Sequence, residues 1–123
     1  MATITGLHLQ YRLWIADLNA DIDVLRILND YIADKSAKKN DADKMNRINY
    51  FKDEFLKLRK EMDELRHEMH LNKMKLASVA KESNPSIETI EDSINHQALK
   101  ERYDAFRKSF SKIKKEYQAF ENA

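Results

Sequence analysis

The amino-acid sequence predicts an all-α protein, an elongated antiparallel three-helix bundle of long heptad-patterned helices that run up, down and up. Apolar residues recur at alternating spacings of three and four in three long stretches, which is the pattern of helices that pack along one seam. The chain also holds a single glycine and a single proline, so it lacks most of the turn chemistry that strands and hairpins need. A chain of 123 residues fits one domain, and we expect it over residues 1–123. Its helices are predicted at about residues 4–34, 42–82 and 85–121.

Helix one carries two apolar stripes where one is enough to dock it. The first stripe is the predicted seam, in which Asp21 is the one polar member: Ile4, Leu7, Tyr11, Trp14, Leu18, Asp21, Leu25, Leu28 and Ile32. The second stripe lies on roughly the opposite side, interrupted only by Asp23: Leu9, Leu13, Ala16, Ala20 and Ile27. A helix that is apolar nearly all round is normally buried on more than one side. We therefore predict that the second stripe is an oligomer interface, through which helix one meets its own copy in a symmetric homodimer.

A competing arrangement covers the same stripe within one chain. The start of helix three carries Ile87, Ile90 and Ile94, which are displaced from the rest of that helix's seam. If this segment folded over the second stripe, the protein would be a compact monomer.

Helix two carries the longest uninterrupted seam in the chain. Asn40, Asp41 or Asp43 is suited to cap its start. The seam holds one polar residue, Asn72: Ile48, Phe51, Phe55, Leu58, Met62, Leu65, Met69, Asn72, Leu76 and Val79. A single polar seam residue such as Asp21 or Asn72 commonly fixes register or oligomeric state.

The two edges of helix two carry opposite charges. Its basic edge holds Lys52, Arg59 and Arg66, and its acidic edge holds Glu54, Glu61 and Glu68. The basic edge would meet like charges if it faced Lys100, Arg107 and Lys114 of helix three. We therefore expect it to face helix one, where the alkyl stems can cover Ile15 and Ile22.

Helix three is predicted to follow a break at residues 83–86, with Asn84 as its cap and Pro85 in its first turn. Its main seam is rich in aromatic residues: Leu99, Tyr103, Phe106, Phe110, Ile113, Tyr117 and Phe120. The step from Ile94 to Leu99 is five residues, which rotates the apolar face by more than a quarter turn. Helix three should therefore be kinked or broken near residues 95–97.

The pair Trp14-Ile15, in the first of three heptad helices, is similar to the first helix of spectrin-type repeats. The resemblance implies a three-helix bundle, and it implies no particular function.

Composition and charge exclude several classes of protein. Twenty-two Lys and Arg against twenty-one Asp and Glu give a net charge of +1, so no global field attracts nucleic acid or an anionic membrane. There is no signal-peptide pattern and no apolar run long enough to span a bilayer, so we expect a cytoplasmic protein without a membrane partner.

Sequence motifs for catalysis are equally scarce. The chain has no cysteine and no Gly-rich loop for a nucleotide, and its serines lie in no nucleophile motif. Glu64 and His67 match the spacing of carboxylate-bridged di-iron sites, but the seam of helix two directs His67 outward and there is no second such pair. With His70 they could hold at most an adventitious metal ion. His96, at the slip in helix three, is interpreted as a polar residue that distorts the helix. We expect no enzyme activity, no cofactor and no small-molecule substrate.

One local charge cluster gives an alternative. Five cations make the end of helix three basic: Arg107, Lys108, Lys112, Lys114 and Lys115. They are candidate anion-binding residues, although the neighbouring aromatic residues lie on the seam and should be unavailable to stack on bases. Our leading hypothesis is thus a non-enzymatic protein for protein–protein interaction or scaffolding that self-associates through helix one. The alternative is a small nucleic-acid- or anion-binding accessory protein.

Overall fold

A computed structural model of the chain describes residues 3–79 and 87–123, and it confirms the all-α fold class. Its helices are α1 (Ile4–Ala37), α2 (Ala42–Val79), α3 (Ile87–Ser93) and α4 (His96–Glu121). The described ranges contain no strand. The predicted end of helix two at residue 82 and the predicted break at residues 83–86, with its cap Asn84 and with Pro85, lie outside the described residues.

The ends of α1 and α2 follow from local hydrogen bonds. Thr3 caps α1, because its Oγ1 accepts from the Gly6 N–H at 2.9 Å. Beyond Ala37 the Asn40 side chain donates to the carbonyls of Lys35 and Lys38, both at 2.8 Å, which satisfies backbone acceptors at the end of the helix. Asp41 then caps α2 by accepting from the Lys44 N–H at 2.8 Å. Of the three predicted caps, Asp41 is therefore the one used.

The predicted break in helix three divides it into α3 and α4. The turn falls at Ile94 and Asn95, and Asn95 has a φ of 54°, in the left-handed region that Asn tolerates better than most residues. Because the turn absorbs the five-residue step, Ile90, Ile94 and Leu99 are all buried in the same core. Within the predicted bounds of 85–121, the described residues thus form two helices separated by the break.

Side-chain contacts give the direction of each helix relative to its neighbours. Tyr11 of α1 lies beside His96 at the start of α4, and Lys35 lies beside Glu121 at its end, so α1 and α4 run parallel. Phe51 near the start of α2 lies against Phe120, with ring centroids 5.4 Å apart, so α2 runs antiparallel to α4. The backbones of α1 and α2 approach closely along their length, whereas α1 and α4 meet mainly through long side chains.

The core is built from the predicted seams, of which Ile4, Trp14 and Val79 are half-buried and pack against it. Seam residues of α1, α2 and α4 form a single cluster of buried apolar side chains that Ile90 and Ile94 join. Trp14, which was placed in the seam of helix one, is only half-buried, and its neighbour Ile15 is buried instead. Trp14 lies at the α1/α4 boundary because its indole stacks on the Tyr103 ring, with centroids 4.7 Å apart.

The charged edges of α2 face different neighbours. On the basic edge, Arg66 donates to Asn19 of α1 at 3.0 Å and Lys52 donates to Ser36 of α1 at 2.8 Å. On the acidic edge, Glu61 and Glu68 pair with Arg102 of α4 at 3.5 and 2.5 Å. Each edge of α2 is thus matched to the helix that it faces.

Candidate functional site

The second apolar stripe of helix one forms an exposed strip along the outside of α1. We call it the outer strip and define it by Leu9, Leu13, Ala16, Ala20 and Ile27. Leu9 is 54% exposed, and Leu13 and Ile27 are each 56% exposed, while both alanines are also exposed. Tyr31, four residues after Ile27 and 60% exposed, extends the same face. Sequence reasoning missed Tyr31, although its spacing from Ile27 was the signal that could have found it.

The outer strip concentrates exposed apolar surface on one helix face. Eight large apolar side chains are exposed among the described residues, and four of them lie on this face of α1. The other four lie on α2, where they do not form a comparable stripe: Tyr50, Leu56, Leu71 and Met74. An apolar strip of this kind, interrupted only by Asp23, is a mark of a binding surface, whereas scattered apolar residues need no explanation.

The structure contradicts the competing arrangement, in which the start of helix three covers this strip. Ile90 and Ile94 are buried in the core, at 3% and 6% exposure, and Ile87 is packed against it. These side chains point inward because the turn at Asn95 returns them to the common core. Leu9 and Leu13 instead border an open groove that Glu91, His96 and Lys100 also line.

A buried polar cluster joins α1, α2 and the α3–α4 turn. The Tyr11 hydroxyl lies 2.6 Å from Nδ1 of His96, and Asn72 Nδ2 lies 3.4 Å from the same hydroxyl. Asn72 also donates to the Ile94 carbonyl at 3.1 Å, a backbone acceptor in the turn. With the tautomer that leaves Nδ1 unprotonated, the Tyr11 hydroxyl donates to His96 while it accepts from Asn72, so its oxygen, the His96 Nδ1 and the Ile94 carbonyl each have a partner.

Burial sets the ionisation of this cluster. It lowers the pKa of His96, and Lys100 adds to that effect while Glu91 opposes it. It also raises the pKa of the Tyr11 hydroxyl. Both groups are thus held neutral. His96, interpreted from the sequence as a helix-distorting residue, is instead a hydrogen-bonded member of the core.

Asp21, the polar residue on the seam of α1, belongs to a separate pair. Its carboxylate pairs with Arg107 of α4, and one turn earlier Tyr103 donates to Asp17 at 3.2 Å. Burial raises the pKa of Asp21, and the pKa stays raised although Arg107 lowers it. Burial also raises the pKa of Tyr103 to about 12. Asp21 lies about 15 Å along α1 from Tyr11, so the two polar seam residues Asp21 and Asn72 serve different contacts. Asn72 also lines a partly open cavity of about 310 Å³ together with Glu68, Lys75 and Arg102.

The basic residues of α4 are only partly brought together. Arg107, Lys108, Lys112 and Lys115 line one shallow, open groove with Ser111. Lys114 lies elsewhere, with its Nζ 5.6 Å from the centroid of the Phe110 ring. Arg107 is engaged by Asp21, and Lys112 lies 4.0 Å from Glu116. The aromatic residues of α4 are buried, so none is presented to a nucleic-acid base.

The other candidate chemistry is not assembled in the described ranges. His67 and His70 are exposed on α2. No group of three or more His, Cys, Asp or Glu side chains in residues 3–79 and 87–123 is placed to hold a metal ion, so Glu64, His67 and His70 do not form one.

Comparisons with protein-family models, with curated proteins and with solved structures find no match to this chain. None of the helices in the described part of the chain has the length and apolar character to cross a bilayer. The expected cytoplasmic location stays a prediction. The geometry of the chain itself therefore carries the functional argument.

Proposed function

We propose that the protein is a non-enzymatic helical bundle that acts in protein–protein interaction or scaffolding, and that it self-associates through the outer strip of α1. One observation carries the proposal: the inner seam of α1 packs in the core, yet a second apolar stripe stays exposed on its opposite face. Leaving that stripe in water forgoes the free energy of apolar burial, about 25 cal/mol for each Å² covered. A second copy of the chain carries the same apolar strip, so two copies can cover each other's strips.

The small residues at the middle of the strip support a helical partner. Ala16 and Ala20 add little bulk between the flanking leucines and Ile27, so another helix can approach to about 8 Å between axes. A symmetric dimer also needs only one self-complementary patch, which is what a single strip offers.

A substitution in the strip tests this proposal. We expect the wild-type chain to sediment as a dimer at micromolar concentration, and the Leu13→Glu variant to sediment as a monomer with unchanged helical circular dichroism. Leu56→Glu is the matched control, because Leu56 is 70% exposed but lies on α2 away from the strip. A wild type that stays monomeric at high micromolar concentration, or a Leu56→Glu variant that dissociates equally, contradicts the proposal.

A second candidate function rests on the basic groove of α4. Arg107, Lys108, Lys112 and Lys115 present their charges to one open surface, which is suited to an anion such as a nucleic-acid backbone. The buried aromatic residues and the Asp21–Arg107 pair make this candidate the weaker one. If it is right, affinity for DNA or RNA must fall steeply between two salt concentrations, and Lys108→Glu with Lys115→Glu must abolish it.

A further inference from the structure

The apolar residues on the outer face of α1 are spaced symmetrically about Ala20. Leu13 and Ile27 lie seven residues before and after it, and Leu9 and Tyr31 lie eleven before and after it. Ala16 and the half-buried Val24 lie four residues to either side. All seven positions fall on one stripe of an α-helix about 33 Å long. When this stripe is reversed end to end, each apolar residue meets another apolar residue.

The charges beside the strip favour the same reversed arrangement. Arg12 lies eight residues before Ala20 and Asp30 lies ten residues after it, and both are exposed. They share one edge of the strip, because eighteen residues make five helical turns. In an antiparallel pair centred on Ala20, Arg12 of each copy lies within one turn of Asp30 of the other. A parallel pair instead places this edge of the two copies on opposite sides of the interface, so Arg12 and Asp30 do not meet.

The shape of the outer strip is also compatible with the antiparallel arrangement. Its centre is the small side chain of Ala20, and its bulky residues lie toward the two ends. At one end Leu9 and Leu13 border an open groove beside the start of α4, and at the other Ile27 and Tyr31 border a second open groove beside the end of α4. The reversed arrangement brings the Leu9 end of each copy to the Tyr31 end of the other.

We propose that the partner of the outer strip is a second copy of this chain, docked antiparallel through α1 with a two-fold axis at Ala20. This inference rests on the proposed self-association and adds its orientation and register. The tests are therefore chosen so that the orientation can fail while the dimer itself stands.

Engineered disulfides read the orientation directly, because the chain has no native cysteine. Under mild oxidation we expect Ala20→Cys to form a covalent dimer by itself, since the two-fold axis brings both copies of this residue together. Leu13→Cys and Ile27→Cys should each stay non-covalent alone and form a disulfide when the two variants are mixed. A disulfide needs Cα atoms about 4.4–6.8 Å apart, so only residues in direct apposition react.

Charge reversal provides an independent readout. Arg12→Glu should weaken dimerisation about tenfold, because it replaces two attractive pairs with two repulsive ones. The double variant Arg12→Glu/Asp30→Lys should restore wild-type affinity, since the reversed charges again meet their opposites in the second copy. The loss and its rescue should both shrink at high salt.

The outcomes separate the two proposals. A dimer in which Leu13→Cys alone becomes covalent is parallel, and it overturns the antiparallel pairing while leaving self-association intact. A dimer that forms no disulfide in any of these cysteine variants overturns both the orientation and the register. A dimer whose affinity is not restored in Arg12→Glu/Asp30→Lys does the same. A chain that sediments as a monomer overturns the proposed function itself.

Discussion

The Tyr11 hydroxyl lies where α1, α2 and the α3–α4 turn meet, and its two hydrogen bonds determine what His96 can do there. In the neutral tautomer with Nδ1 unprotonated, His96 accepts a hydrogen bond from the Tyr11 hydroxyl, so protonation of the imidazole replaces that acceptor with a second donor. His96 is also the first residue of α4, where the positive end of the helix dipole disfavours a cation. The neutral imidazole is therefore part of the folded structure.

The pH dependence of stability follows from this arrangement. Because the pKa of His96 is lowered in the folded state, the unfolded chain binds the proton more tightly. The contribution of His96 is fully present above its unfolded pKa, about 6.5, and is lost as the pH falls from there toward the folded value. We expect the free energy of unfolding to drop over this window in the wild type, as measured by urea denaturation.

His96→Gln provides the control for that measurement. This variant lacks the titrating group but keeps a polar side chain, so its stability should fall less over the same window. The fluorescence of Trp14 gives a second measurement of the protonation of His96, because its indole stacks on the His96 ring with centroids 5.9 Å apart. An unchanged pH profile in His96→Gln contradicts the assignment of the effect to His96.

Buried positions on α2 and α4 and an exposed position on α2 predict different costs of truncation. Phe55 and Phe110 are 1% and 3% exposed in the core, so replacing either with alanine should destabilise the protein by about 3–5 kcal/mol. His67 is exposed, and His67→Ala should change stability by less than about 0.5 kcal/mol. Thermal or urea denaturation measures all three, and a large loss at His67 would mean that the faces of α2 are misassigned.

At the scale of the elements, long seams could be predicted from the sequence and side-chain partners could not. The seam of α2 is regular from Ile48 to Val79, so its helix and its buried face follow from spacing alone. The step from Ile94 to Leu99 also identified the break, because five residues cannot keep one helical face. What spacing could not give was the partner of each polar seam residue, since that depends on the level at which α1, α2 and α4 are aligned.

The Asp21–Arg107 pair joins α1 to α4 and shows how a polar seam residue affects the alignment of two helices. Burial raises the pKa of Asp21 although the Arg107 guanidinium lowers it, so the attraction within the pair is offset by the cost of burying the carboxylate. A partly buried pair of this kind acts mainly by penalising other alignments of the helices. We infer that it fixes the register of α4 against α1.

Removing one member of that pair should cost more than removing both. Arg107→Ala leaves the mostly buried Asp21 carboxylate without its guanidinium, at an expected cost of about 1–3 kcal/mol. The double variant Asp21→Leu/Arg107→Leu should recover most of that loss, because a Leu pair needs no polar partner. If the double variant is as unstable as the sum of the two single variants in urea denaturation, the pair contributes net stability and this interpretation is wrong.

At the scale of the whole molecule, the chain is organised as a filled core, matched charged edges and one uncovered apolar face. The seams of α1, α2 and α4 account for the core, and the edges of α2 are paired with both neighbours. The outer strip is the apolar surface that this arrangement leaves over. Since neither the core nor the edges depend on it, loss of the strip should remove association without unfolding the chain.

This separation makes thermal stability depend on protein concentration. A dimer forms only from folded chains, so mass action adds about 1.4 kcal/mol per chain for each hundredfold rise in concentration once the dimer predominates. For a domain of this size the unfolding midpoint should rise by about 5 °C over that range. Leu13→Glu should unfold at one temperature at all concentrations, whereas the control Leu56→Glu should keep the wild-type rise. Calorimetry at several concentrations measures this, and a wild-type midpoint that does not move would show that folding and association are not coupled through α1.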